Sequence, residues 1–340
     1  MITKKHILEA SRYNDWWGCK MSPLIAVGYG TAILAGVPLY RALVWIALVI
    51  GALVVGGVYA SSLNDLSDLA EDKASGKTNR LSLISAGYRW CFPVGALAVG
   101  VALAFYLLSL NVLTAILYAM PCLCFTLYSL KPFRLKTRGI WGVLADASGA
   151  HVFPSLCVVA GTSTLPGAHI DWLWFSLVGV WAGCFGLRGI LWHQFQDRSR
   201  DMAVGLRTFA TQRAAARFRL VPRVLMAVEL MTFATMMWML QVIPWAVGLG
   251  AIYLVLVTGR GRLLNLKTGI VHTPGDQARQ IFMLDYYAFF FPVSILLSAI
   301  FQPYAWLLLV MHLVAFPLTP LQMLRDAYRI SRAAVQLRLR

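Results

Sequence analysis

The chain has 340 residues, 59% of them hydrophobic and 13% charged, with 30 Lys and Arg against 14 Asp and Glu and a net charge of +16. A mean hydropathy of +0.68 excludes an ordinary water-soluble domain and predicts an integral membrane protein. The basic excess does not call for nucleic acid, because Lys and Arg in juxtamembrane loops orient a membrane chain and meet anionic headgroups.

In chain order, residues 1–20 carry Lys4, Lys5, Arg12 and Lys20, and no cleavable signal is expected there. Trp16 and Trp17 read as interfacial anchors, with a substrate-pocket wall as the alternative. Runs long enough to cross a ~30 Å hydrocarbon core are predicted at about 21–38, 41–63, 90–109, 111–129, 141–161, 172–192, 221–241, 243–258, 281–300 and 303–320. These ten segments form an all-helical bundle in one domain over 1–340. The last is interrupted by Pro317 and either spans or lies in the interface. Counting loops on alternate sides, with Arg223 at the start of the seventh segment taken with the loop before it, places 28 of the 30 Lys and Arg together with both termini. The positive-inside rule makes that side cytoplasmic, in a plasma or inner membrane.

Two acidic stretches stand at segment ends. Asn64-Asp65-Leu66-Ser67-Asp68-Leu69-Ala70-Glu71-Asp72 follows the second segment and holds four of the 14 acids. On a helix Asp65, Asp68 and Asp72 fall at i, i+3 and i+7 and share a face, which repels itself unless a cation fills it. Hard cations such as Mg2+ take carboxylate and phosphate oxygens, so the face predicts a diphosphate held through metal; a solvated acidic helix start is the alternative. The second stretch, His193-Gln194-Phe195-Gln196-Asp197-Arg198-Ser199-Arg200-Asp201, follows the sixth segment with Asp197 and Asp201 at i, i+4. Both are followed by Gly and a basic residue, Gly76 and Lys77 in one case and Gly205 and Arg207 in the other. Two Mg2+ sites facing one diphosphate explain both.

Lys73, Lys77, Arg80, Lys131, Arg134, Lys136, Arg138, Arg198 and Arg207 lie near these motifs or in the loop between, where they neutralise a departing diphosphate. Charges inside apolar segments are costly. Asp146 and Arg188 are therefore expected to pair across adjacent helices or to touch substrate, and Glu229 and Asp285 are treated alike. Arg12, Asp146, Arg188, His193 and Gln194 are candidates for the substrate pocket, His193 as a proton acceptor, a support of the metal site or a polar helix end. The six cysteines, at 19, 91, 122, 124, 157 and 184, form no C-x-x-C pair and read as small core residues, with no disulfide or zinc site.

The pattern N-D-x-x-D-x-x-x-D at 64–72, D-x-x-x-D at 197–201 and the surrounding apolar segments resemble the UbiA superfamily of intramembrane prenyltransferases over roughly residues 11–300. The resemblance implies about nine to ten transmembrane helices, the first motif ending the second and the second ending the sixth. It implies Mg2+ at Asp65, Asp68, Asp72, Asp197 and Asp201, and an isoprenyl diphosphate held also by Asn64 and the basic residues. The loop from Tyr128 to Lys136 resembles the superfamily's tyrosine-and-lysine segment, although Tyr128 to Lys131 is one residue shorter than Y-x-x-x-K and Arg134 or Lys136 is the alternative.

Acceptors open by resemblance are an aromatic ring, a tetrapyrrole carboxylate, a glycerol lipid or a carotenoid. The amino-terminal Arg12-Tyr13-Asn14-Asp15-Trp16-Trp17 lacks the D-K-P-x-G of the 4-hydroxybenzoate enzymes. The expected activity is therefore transfer of an isoprenoid from its allylic diphosphate to a lipophilic or aromatic acceptor. The alternatives are a membrane terpene cyclase and a cation-binding transporter. A transporter would place its polar groups near the midplane, not at one face.

Overall fold

A computed structural model describes residue 9 and residues 11–213, 220–272 and 278–338; Lys4 and Lys5 lie outside the described residues. Apolar runs in hydrocarbon must satisfy their backbone groups internally, so they form helices. The helices are α1 (Ser22–Leu34), α2 (Leu39–Ala74), α3 (Cys91–Leu110), α4 (Val112–Ser129), α5 (Ile140–Thr162, with a π-helical turn at Ser148–Val152), α6 (Trp172–Ala203), α7 (Leu220–Met239) and α8 (Ile243–Leu263). They continue as α9 (Tyr286–Ser298), α10 (Ala305–Ala315) and α11 (Leu318–Arg338). Phe105, Met231 and Val255 are about 70% exposed on outer helix faces, as side chains bordered by lipid are.

Each predicted segment contains a helix, but not every one is long and apolar enough to span by itself. Among the described residues seven helices, α2 to α8, are long and apolar enough to span, or eight if α10 and α11 count as one broken span. The expected span at 303–320 is not one straight helix, since α10 stops after 11 residues and the chain bends by 78° into α11. Pro317 lies in that break and cannot continue the helical hydrogen-bond ladder. The all-helical expectation also missed a short parallel pair, β1 (Lys267–Gly269) with β2 (Ala278–Ile281).

Small residues let the helices close on one another. A Cβ at Gly30 would lie 2.9 Å from Trp174, and the Trp174 indole donates to Thr31 Oγ1 at 2.9 Å, joining α1 to α6. Asn111 alone separates α3 from α4 and caps α4 by accepting from the Thr114 N–H at 2.9 Å. Asp171 caps α6 through the Trp174 N–H.

The two charges inside apolar segments foreseen as partners, Asp146 and Arg188, are not partners. Arg188 and Glu229 are both 0% exposed and form a two-pronged pair at 2.7 and 2.6 Å. Tyr287 donates to the same carboxylate at 2.9 Å, and Arg188 also reaches the carbonyls of Ile270 and Phe282. This network ties α6, α7, α9 and the β-pair together. Asp285 pairs with Arg260 at 2.6 Å, and Arg260 holds Asp326 of α11 at 2.9 Å. The cysteines are all free, and Cys157 and Cys184 are buried while Cys91 is exposed.

Candidate functional site

α2 and α6 are the longest helices, 36 and 32 residues, and each carries an aspartate motif on its final turns. Both end in the same way. Gly76 and Gly205 take positive φ of 68° and 70°, which glycine adopts without a Cβ clash. The following N–H groups, of Lys77 and Leu206, return to the carbonyls of Asp72 and Asp201 at 2.9 and 2.8 Å. This six-residue closure satisfies orphan carbonyls and turns the chain sharply. It directs Lys77 across the site, where its ammonium lies 2.9 Å from Asp197.

The amino-terminal segment, the end of α2 and the loop after it, and the loop before α5 meet at one end of the bundle. Arg12 lies 3.1 Å from Asp65 and 3.0 Å from Asp15, and Arg80 lies 2.8 Å from Asp15. Lys136 contacts Asp68, and Arg134 lies 2.7 Å from Glu71 and 3.7 Å from Asp68. Asp201 of the second motif also acts electrostatically on Lys136. Burial opposes the charge on Arg12, but Asp65 and Asp15 outweigh it and raise the guanidinium above its ordinary value. Burial likewise opposes ionisation of Asp15, yet Arg80 and Arg12 hold it below the usual carboxylate range.

Lys136 and Arg134, and not Lys131, are the loop residues that meet the first motif; Lys131 is exposed. Lys73 and Arg207 are exposed as well. Arg198 turns away, donating to the carbonyls of Ala210 and Arg213, and Arg138 donates to the Pro132 carbonyl. Arg188 is sealed in its pair with Glu229 and does not line the cavity described below. Gln194 is buried and accepts from the Ala210 N–H at 3.4 Å.

The approach of the Lys136 loop depends on Gly142. A Cβ there would lie 2.6 Å from the Leu135 carbonyl oxygen and 2.8 Å from Lys136 Cα, so backbone must shift. Gly142→Ala is expected to displace Lys136 from Asp68 and lower turnover at least ~10-fold, an effect size expected for misplacing a reacting geometry by about 1 Å. A kinetic assay on folded protein checks it, and wild-type turnover would remove the loop from the site.

A cavity of about 320 Å³ opens beside the motifs. Its polar lining residues include Arg12, Asp15, Lys20, Asn64, Tyr128, Asp146 and His193; its apolar ones include Met21, Leu24, Leu53, Pro121, Phe125 and Pro154. Trp16 lines it too and is only 7% exposed, so it is a pocket wall and not an interfacial anchor. Trp17 instead donates to the Ala315 carbonyl at 2.8 Å and stacks on Phe316.

Two site residues escaped the sequence. Lys20 looked like a juxtamembrane charge, but the π-helical turn Trp17–Met21 brings it to the cavity. Asn79 lies seven residues beyond the first motif and is buried beneath it, donating to the Asp65 carbonyl at 2.6 Å and the Asp72 carboxylate at 2.8 Å. An Asn opening a short helical turn, N-R-L-S-L, was the available signal.

A hard divalent ion needs oxygen donors, and the motifs supply only these. Asp65 Oδ2 is buried without a hydrogen-bond partner, which fits an atom that would ligate an ion. Asp68, Asp72 and Asp197 are held by Lys136, Asn79 and Lys77, Asp201 accepts from the Thr208 hydroxyl at 3.5 Å, and among the described residues no three metal-binding side chains converge on one point.

Residues 22–270 match the model of the UbiA prenyltransferase family. The chain is similar to a UbiA homolog from Archaeoglobus fulgidus bound to GPP and Mg2+, with 15% identity and a TM-score of 0.55 over 85% of this chain and 96% of that one. It is also similar to that homolog bound to DMAPP and Mg2+, with 16% identity and a TM-score of 0.53 over the same shares. A further structure, bound to Cd2+, has 15% identity and a TM-score of 0.52 over 97% and 99% of the two chains. No curated protein sequence matches. At such identities the structures establish the fold; the match over most of the chain establishes the family, and this multi-pass membrane protein belongs to the UbiA prenyltransferase family.

Proposed function

We propose that the protein transfers an isoprenoid group from its allylic diphosphate to a lipophilic or aromatic acceptor inside the cavity. The observation that carries this reading is the cavity's division along its helices, with Asn64 and Tyr128 at the motif ends of α2 and α4, joined by Arg12 and His193, and with Leu53 and Phe125 further from those ends on the same two helices. That division suits an anionic head and a hydrocarbon chain. The solved relatives bound to GPP or DMAPP with Mg2+ support the same assignment.

Asp65, Asp68, Asp72, Asp197 and Asp201 are the residues that would hold Mg2+, with side-chain adjustment from the paired state. Bound there, the ion supplies positive charge that balances the diphosphate as its C–O bond breaks. Lys77, Arg134 and Lys136 share this task, because they already bridge the two motif helices and their loop. Their pairing with aspartates holds them at the site before substrate arrives, so the cations exchange one anionic partner for another within the same cluster. The apolar lining excludes water from the electron-poor allylic carbon and keeps it near the acceptor.

Purified protein in lipid, given labelled geranyl, farnesyl or geranylgeranyl diphosphate and an acceptor extract, is expected to form an adduct only when extract is present. EDTA is expected to stop the reaction and Mg2+ to restore it. Hydrocarbon or alcohol formed equally without extract would replace transfer by cyclisation or hydrolysis. Undiminished turnover in EDTA would overturn the metal assignment.

A further inference from the structure

Asp146 is a carboxylate between one and two turns inside an apolar helix, where an unpaired charge is expensive and usually functional. Its expected partner, Arg188, is taken by Glu229. Among the described residues Asp146 makes no hydrogen bond or ion pair, and it lines the cavity. The π-helical turn Ser148–Val152 begins two residues later, a local change of register of the kind often found at functional sites. A Cβ at Gly149 would lie 2.9 Å from Cys124 Cβ, so close contact with α4 holds this turn.

The groups facing Asp146 narrow what it can do. Lys20, His193 and Tyr128 line the same cavity. Lys20 also makes no ion pair among the described residues. An ammonium and a carboxylate in one small cavity disfavour a strongly cationic acceptor and a strongly anionic one alike. A neutral hydroxyl can donate to Asp146 and accept from Lys20.

We propose that Asp146 is the acceptor-side catalytic residue and that the acceptor bears a hydroxyl group. The inference rests on the prenyltransferase reading and deepens it. The acceptor O–H donates to the Asp146 carboxylate. As the acceptor oxygen forms a bond to the allylic carbon, the carbon–diphosphate bond breaks with its electron pair leaving on the diphosphate. The hydroxyl proton passes to Asp146, so the product is an ether and the carboxyl later returns its proton to water. Phenols and alkyl glycerols share this chemistry.

Calorimetry on the protein in lipid nanodiscs, with 4-propylphenol and 1-O-octylglycerol as separate probes, tests binding without turnover. Asp146→Asn, nearly isosteric, is expected to weaken whichever probe binds by about tenfold or more, as loss of a hydrogen bond to a charged group predicts; the probe affected names the source of the hydroxyl. In the transfer assay the same variant should lose at least ~100-fold, the scale of a general base, and at least ten times more than it loses in acceptor-free diphosphate release, while Asp146→Glu recovers transfer above the Asn variant. Failure of the wild type to bind either probe, unchanged affinity in Asp146→Asn, or equal loss of transfer and of acceptor-free release would overturn the assignment. Absence of all diphosphate release from the wild type would defeat the prenyltransferase reading instead, and the binding comparison would still decide the role of Asp146.

Discussion

Alanine at Asp68 or Asp197 is expected to lower turnover by roughly 10²–10³-fold or more while the protein stays folded, the range found when one preorganised electrostatic contact is lost. Charge balance gives the test its direction. Asp68 holds Lys136 and Arg134, and Asp197 holds Lys77. If these carboxylates only neutralised the lysines and arginine, removing one would free a cation for the diphosphate, and binding would tighten with turnover preserved. If they hold a divalent ion, the freed cation cannot replace it, because a point charge on a flexible stem does not bridge several phosphate oxygens. The measurement is a pair of numbers for each variant, the dissociation constant for a labelled prenyl diphosphate in EDTA and the turnover with Mg2+. Tighter binding in EDTA with turnover lost supports a metal role; tighter binding with turnover kept assigns the acidic faces to charge balance alone.

The motif helices and their ends were legible because each signal is local. Acid spacing on α2, the Asp pair on α6 and glycines four residues beyond each motif all act within two turns of chain. The partner of Arg188 was not legible, since Asp146 and Glu229 are both acids in apolar runs on either side of it. Which of them shares its depth and face depends on helix rotation and on the π-helical turn in α5, and hydropathy reports neither. Lys20 was hidden for a related reason: a π-helical turn at Trp17–Met21 sends a residue expected at the surface into the cavity. The loop basic residues show the limit of spacing. Lys131 stands nearest in sequence to the family's tyrosine-and-lysine pattern, yet the chain passes through the Lys131–Pro132 bond and a turn at Arg134 with φ 38° before Lys136 reaches Asp68.

Glu229→Ala is expected to destabilise the protein by about 3–5 kcal/mol, because it leaves the Arg188 charge buried without its counter-ion. The cost arises from the orphaned guanidinium more than from the lost attraction, since an intact buried pair already carries a desolvation penalty comparable to its Coulomb energy. The double variant Arg188→Met, Glu229→Leu should therefore recover most of that loss, although the Ile270 and Phe282 carbonyls and the Tyr287 hydroxyl lose their partners. Thermal inactivation of the protein in lipid measures both. The same variants decide whether Arg188 belongs to the substrate pocket: its side chain is 0% exposed and lies outside the cavity, so turnover per folded molecule should fall much less than it does for Asp68→Ala. A double variant as stable as wild type but catalytically dead would give Arg188 a direct part in the reaction. The expected result gives it a different task, holding the motif-bearing α6 against α7, α9 and the β-pair so that Asp197 and Asp201 face α2.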